Sequence, residues 1–136
     1  MPDPICIDAN VIVALVVTEP ATERLNDAWV AWVREGRTLV APRLLRFEVA
    51  GALERKLRRG ELDQSPVRMA LSAAESLASV IEQPEIVGGL QMAWELAEVY
   101  RLSVLDACYL AIARQEKAEL WTLDAELARR AGGKTP

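Results

Sequence analysis

The sequence predicts an α/β protein, a three-layer α/β/α sandwich built on a short, mainly parallel central sheet. Three observations predict it. Short apolar, β-branched runs alternate with longer segments of helical apolar spacing. No hairpin turn joins one short run to the next, so the strands pair in parallel through helical crossovers. The length, 136 residues, suits a single core, and one domain spanning 1–136 is expected.

The elements follow in order. Ile5-Cys6-Ile7 is a buried strand, Asp8-Ala9-Asn10 a turn, and Val11 to Val17 the first helix, which leaves Asp8 at the strand's C-terminal end. Leu25, Ala28, Trp29, Trp32 and Val33 repeat at helical spacing within Ala21 to Glu35, and Gly36 ends that helix. Thr38 to Ala41 is the second strand. Pro42 opens a helix that runs to about Arg59 and closes at Gly60. Ser65 to Ala78 is a further helix, and Ser79 to Glu82 reads as a short strand before Pro84. Leu90 to Tyr100 is an amphipathic helix, Ser103 to Gln115 a nearly all-apolar one, Glu119 to Thr122 a strand and Ala125 to Ala131 a last short helix. Residues 131–136 are expected to form a flexible tail.

Composition narrows the chemistry. Hydrophobic residues make up 51% and charged residues 26%, a globular balance without low-complexity segments or internal repeats. The apolar run Ala9 to Val17 has no basic region before it, so it is not a signal peptide, and no stretch is long enough to span a membrane. Cys6 and Cys108 each lie in apolar runs and form no CxxC pair, which predicts buried free thiols and a cytoplasmic location. The chain has no histidine, which removes Ser-His-Asp and Cys-His nucleophilic sites and histidine-based RNA cleavage. Carboxylates, hydroxyls, amines or a hard metal remain. The net charge of −4 runs against a polyanion as partner, yet four carboxylates committed to metal would account for all of it.

Glu48 carries the most information. Its neighbours one turn away are Leu44, Leu45, Gly51 and Ala52, which offer no local cation to an ionised carboxylate. Asp106 repeats the pattern among Leu102, Ser103, Tyr109 and Leu110. Asp8 and Asp124 each stand where a strand ends and a helix begins, the edge at which parallel sheets collect their sites. Converging carboxylates repel one another and are tolerated when a divalent cation neutralises them, and an oxygen-only donor set suits Mg²⁺ or Mn²⁺. The plainer reading stands beside this one: Asp8, Asn10 or Asp124 can cap a helix, Ser103-x-x-Asp106 resembles a capping box, and a distant arginine can pair with Glu48.

Four segments carry a resemblance: Ile7-Asp8-Ala9-Asn10-Val11-Ile12; Ala41-Pro42 followed by Phe47-Glu48-Val49-Ala50-Gly51-Ala52-Leu53; Leu102 to Ala113 around Asp106; and Leu120-Trp121-Thr122-Leu123-Asp124. In this order, over about Ile5 to Ala131, they resemble the motifs of PIN-domain proteins, especially VapC-type toxins of bacterial toxin–antitoxin pairs. The resemblance implies that Asp8, Glu48, Asp106 and Asp124 are the catalytic and metal-binding residues, with Mg²⁺ or Mn²⁺ supporting endonuclease hydrolysis of RNA. It implies that Asn10 orients Asp8 and that Thr122 bonds a ligand carboxylate or water. A homodimer and a cognate antitoxin covering the site are implied as well.

Arg43, Arg46, Arg55, Lys56, Arg58 and Arg59 cluster on or beside the Glu48 helix and could meet phosphates next to the metal site, with Arg43, Arg46 and Arg55 the candidate RNA contacts, against the alternative of a solvated helix face. Trp29 and Trp32 belong either to the core or to a groove that receives an antitoxin helix. Two other functions compete: a non-catalytic PIN-like module that binds RNA or protein, and phosphoryl transfer through an aspartyl phosphate on Asp8. The latter wants a nearby lysine, and only Lys56, Lys117 and Lys134 exist.

Overall fold

A computed structural model describes residues 2–136. Its elements are β1 (Ile5–Ile7), α1 (Ala9–Val16), α2 (Thr22–Arg34), β2 (Leu39–Val40), α3 (Leu45–Arg58), α4 (Gln64–Ala78), α5 (Gly89–Tyr100), α6 (Val104–Gln115), β3 (Glu119–Trp121) and α7 (Ala125–Ala131). The three strands pair in parallel in the order β2-β1-β3. Ile5 and Cys6 lie opposite Leu39 and Val40 on one side, and Ile5, Cys6 and Ile7 opposite Glu119, Leu120 and Trp121 on the other.

Side chains alternate across a strand, so this register decides which helix covers which face. Cys6 shares a face with Val40 and Leu120, and its thiol donates to the Tyr109 carbonyl at 3.5 Å, which seats α6 there. Trp121 lies on the opposite face, where Trp32 of α2 packs edge-on against it with ring centroids 5.1 Å apart. The result is the expected α/β/α sandwich. β1 is covered on both faces, which explains why all three of its residues are apolar and fully buried.

Helix boundaries lie within a few residues of those predicted, with two differences of substance. The helix expected from Pro42 begins at Leu45, because Ala41 still pairs with the sheet through its N–H to the Glu82 carbonyl at 2.9 Å. The strand expected at Ser79 to Glu82 reduces to one bridge, Val40 to Glu82, since Ser79 caps α4 and leaves too few residues to pair. The tail also departs from expectation. Lys134 donates to the Leu120 carbonyl at 2.6 Å and accepts from Thr122 N–H at 3.0 Å, so the segment beyond α7 extends the sheet along the free edge of β3. Ala131 is still helical, and Gly132 at φ +70° makes the turn. Unpaired edge groups of β3 attract any chain within reach, and a seven-residue helix returns the chain to that edge.

Both cysteines are buried and free. No helix among the described residues is long and apolar enough to cross a membrane. Trp32, at 3% exposure, belongs to the core and is excluded from any surface groove, whereas Trp29 is half-buried against it.

Candidate active site

Because the strands are parallel, their C-terminal ends open on one edge, and the chain returns to that edge four times with an acidic residue. Asp8 follows β1 and Asp124 follows β3, while Glu48 and Asp106 stand in the first turns of α3 and α6. All four line one cleft of about 340 Å³, together with Asn10, Glu19, Ala52, Arg55, Lys56, Arg59 and Glu61. Among the described residues none of the four carboxylates has a cation within ion-pair distance, so no arginine pairs with Glu48.

Capping and site roles coincide rather than compete. Asp124 accepts from Glu126 N–H at 2.9 Å and Leu127 N–H at 3.1 Å through one oxygen, Oδ1, which leaves Oδ2 free of the cap. Ser103 caps α6 by accepting from Asp106 N–H at 3.1 Å. That bond uses the Asp106 backbone and leaves its carboxylate to the cleft.

Asp8 is the buried anchor. Its Oδ1 accepts from Ala9 N–H at 2.7 Å and its Oδ2 from the Thr122 hydroxyl at 2.7 Å. Thr122 is itself fully buried, and its oxygen accepts from Asn10 Nδ2 at 3.2 Å and from Asp124 N–H at 3.0 Å. Two donors fill the hydroxyl's two lone pairs, so its single proton is directed at Asp8. Asn10 closes the ring by accepting from Leu123 N–H at 3.0 Å through Oδ1. Asn10 and Thr122 therefore bind the start of α1 to the loop after β3, and Asn10 reaches Asp8 only through Thr122.

Electrostatics match this geometry. Burial lifts the Asp8 carboxyl to about 6, and the charges of Asp106 and Glu48 add to the rise while the bonds from Thr122 and Ala9 oppose it. Asp106 is also raised, chiefly by desolvation, with the Ser103 hydroxyl opposing the rise and the charge of Asp124 adding to it. The Tyr109 hydroxyl, below the cleft, is pushed up by burial and by Glu48. Glu48 lies near enough to perturb it without meeting hydrogen-bond geometry, which makes this phenol the one buried side-chain oxygen among the described residues without a partner.

An ion fits the donor chemistry of this cleft, which offers oxygen ligands alone. Among the described residues no three acidic side chains are gathered closely enough to enclose an ion. Mg²⁺ retains several waters and needs only one or two direct carboxylates, and Asp8, Glu48, Asp106 and Asp124 are the residues that would hold it, partly through water.

The basic cluster divides. Arg55 lines the cleft, but Arg43 pairs with Glu85 at 3.1 Å and Arg46 with Glu75 at 3.0 Å, each beside a different surface hollow. Arg43 precedes α3 and Arg46 sits well round that helix from Glu48, whereas residues 52, 55 and 59 follow Glu48 at intervals of four, three and four, with Lys56 beside them. Reading that spacing forward from Glu48 would have placed Lys56 and Arg59 in the cleft. Glu19 and Glu61 lie on loops and gave no periodic signal.

A family model described as PIN domain matches residues 5–133. The chain belongs to the PIN domain family. This PIN-domain chain is 31% identical over 124 residues to a protein named Ribonuclease VapC3 from Pyrobaculum aerophilum, covering 91% of this chain and 92% of that one. Its fold matches the crystal structure of PAE2754 from Pyrobaculum aerophilum at a TM-score of 0.74 and 22% identity, covering 98% of this chain and 83% of that one. It also matches VapC20 from Mycobacterium tuberculosis, described as a Sarcin-Ricin loop cleaving toxin, at a TM-score of 0.67 and 18% identity, covering 92% and 93% respectively.

Proposed function

We propose that this PIN-domain chain is a divalent-metal-dependent endoribonuclease and serves as the toxin of a toxin–antitoxin pair. The observation that carries the proposal is the convergence of Asp8, Glu48, Asp106 and Asp124, none of them ion-paired, in one open cleft that Arg55 and Arg59 also line. The naming of the relatives above as ribonuclease and toxin supports RNA as substrate.

In this reading Asp8 supplies a carboxylate of fixed orientation, since both its oxygens are anchored by donors at 2.7 Å. Glu48, Asp106 and Asp124 supply the remainder of the ligand set, and Asn10 and Thr122 hold Asp8 and the loop bearing Asp124 in register. A bound Mg²⁺ or Mn²⁺ supplies charge neutralisation and Lewis-acid activation of water and phosphodiester. A homodimer is supported by Leu90 and Trp94 on one face of α5 and Leu105 on α6, which are 86%, 60% and 51% exposed. A cognate antitoxin remains part of the proposal, with the half-buried Trp29 and not Trp32 as its candidate contact.

The test is hydrolysis of single-stranded RNA by purified protein. Cleavage is expected with Mg²⁺ or Mn²⁺ and absent in EDTA or in Asp106→Asn. Cleavage in EDTA refutes the metal mechanism, and no cleavage by folded protein with either metal leaves the non-catalytic binding module as the better account.

A further inference from the structure

One side of the cleft is a face of α3 and its C-terminal cap, which carries Glu48 in its first turn and Arg55, Lys56 and Arg59 toward its end. Six cations lie in or beside that helix: Arg43, Arg46, Arg55, Lys56, Arg58 and Arg59. Four are committed within the chain. Arg43 pairs with Glu85, Arg46 with Glu75, and Arg58 with Glu54, all at the surface. Lys56 lies in the cleft and takes both cleft glutamates outside the acidic site, Glu19 at 3.1 Å and Glu61 at 3.5 Å. Arg55 and Arg59 make no ion pair or side-chain hydrogen bond among the described residues, although six carboxylates line the same cleft.

Two unpaired guanidinium groups at i, i+4 repel each other by a few tenths of a kcal/mol in an isolated helix. Lys56 removes the two anions that would otherwise relieve them. A pair so placed is available to an external anion, and a guanidinium presents the fork geometry that phosphate oxygens accept. Arg55 and Arg59 are separated by about 6 Å of helix axis, comparable to one step of an unstacked ribose-phosphate backbone. Arg59 lies about 16 Å along the axis from Glu48, a few nucleotides from the acidic residues.

We infer that Arg55 and Arg59 form a two-phosphate track that holds single-stranded RNA on one side of the scissile bond, running from the acidic site toward the turn after α3. The inference rests on the ribonuclease reading above. The track contacts backbone and not bases, so it sets affinity and footprint without sequence preference. Lys56 is the foil: a cation in the same cleft that is occupied by Glu19 and Glu61 and takes no phosphate.

The test is fluorescence anisotropy of a labelled single-stranded RNA with Ca²⁺ replacing Mg²⁺, at salt concentrations from about 50 to 200 mM. Arg55→Gln and Arg59→Gln are each expected to reduce the slope of log affinity on log salt by about 0.7, the double variant by about twice that, and Arg58→Gln, whose cation pairs with Glu54 outside the cleft, not at all. In Mg²⁺ the arginine variants should raise KM for RNA and leave kcat unchanged at saturation. Melting temperatures identify a merely structural role, because both residues lie at the basic end of α3, where cations favour the helix dipole. Lower stability with an unchanged salt slope overturns the track, as does an equal loss of slope in Arg58→Gln. Wild-type slopes in both arginine variants also overturn it. Failure of the wild type to bind RNA at all refutes the ribonuclease reading itself, and is thereby distinguished from failure of the track alone.

Discussion

Thr122→Val replaces a fully buried hydroxyl by a methyl group of similar size, and the structure states what is lost. Asn10 Nδ2 and Asp124 N–H lose their acceptor, and Asp8 Oδ2 loses its donor at 2.7 Å. Two neutral hydrogen bonds contribute about 1 kcal/mol each and a bond to a buried carboxylate about 1.5–3 kcal/mol, so the variant should lose roughly 3.5–5 kcal/mol near pH 7.5. Part of that loss depends on pH. In the wild type without metal, the Asp8 pKa is raised from 3.8 to about 6. A raised folded-state pKa means that the group's contribution is fully present below 3.8 and is lost as pH rises through about 6, an opposing term of about 3 kcal/mol at neutral pH. Removing the Thr122 donor raises the pKa further. The deficit of Thr122→Val should therefore widen by at least about 1 kcal/mol between pH 4.5 and pH 7.5. Urea unfolding in EDTA at both pH values measures this, with Thr122→Ser expected to keep the pH profile and lose about 1 kcal/mol for its methyl group. A deficit equal at both pH values would refute the claim that the hydroxyl proton serves Asp8.

Three further outcomes are expected. Asp106→Asn should be as stable as wild type or more so in EDTA, because desolvation and Asp124 already oppose its charge, and Mg²⁺ should raise its melting temperature less than that of wild type. A clear loss of stability in EDTA would show that its carboxylate pairs or caps. Tyr109→Phe should be neutral or stabilising by up to about 1 kcal/mol in chemical denaturation, since its hydroxyl has no partner to lose, and a deficit above about 2 kcal/mol would reveal one. Trp32→Ala should destabilise by about 3–5 kcal/mol through its cavity, whereas Trp29→Ala, half-buried, should lose visibly less.

The acidic residues were legible in the sequence because Glu48 and Asp106 sit among apolar helical neighbours, where a charge has no local reason to be. Asp8 and Asp124 were legible from their position after strands. Parallel pairing followed from the missing hairpins. The Thr122 hydroxyl was less accessible, since its partners Asp8 and Asn10 lie more than a hundred residues away and nothing local distinguishes it. The pairing of Lys134 with the edge of β3 was illegible for a similar reason: Gly132, Gly133 and Lys134 look like a loose end by composition, and their partner strand lies elsewhere in the chain. The basic cluster looks like one patch in the sequence because its members are neighbours there, whereas Arg43 precedes α3 and helical phase turns Arg46 away from Arg55 and Arg59.

The central claim is that Asp8, Glu48, Asp106 and Asp124 jointly hold a divalent cation. Calorimetric titration of Mn²⁺ into wild type and into Asp8→Asn, Glu48→Gln, Asp106→Asn and Asp124→Asn tests it without recourse to activity. The account predicts saturable binding by wild type and weakening of about tenfold or more in the variants whose carboxylate contacts the ion directly. Affinity unchanged in all four folded variants, or no saturable binding by wild type, would contradict it.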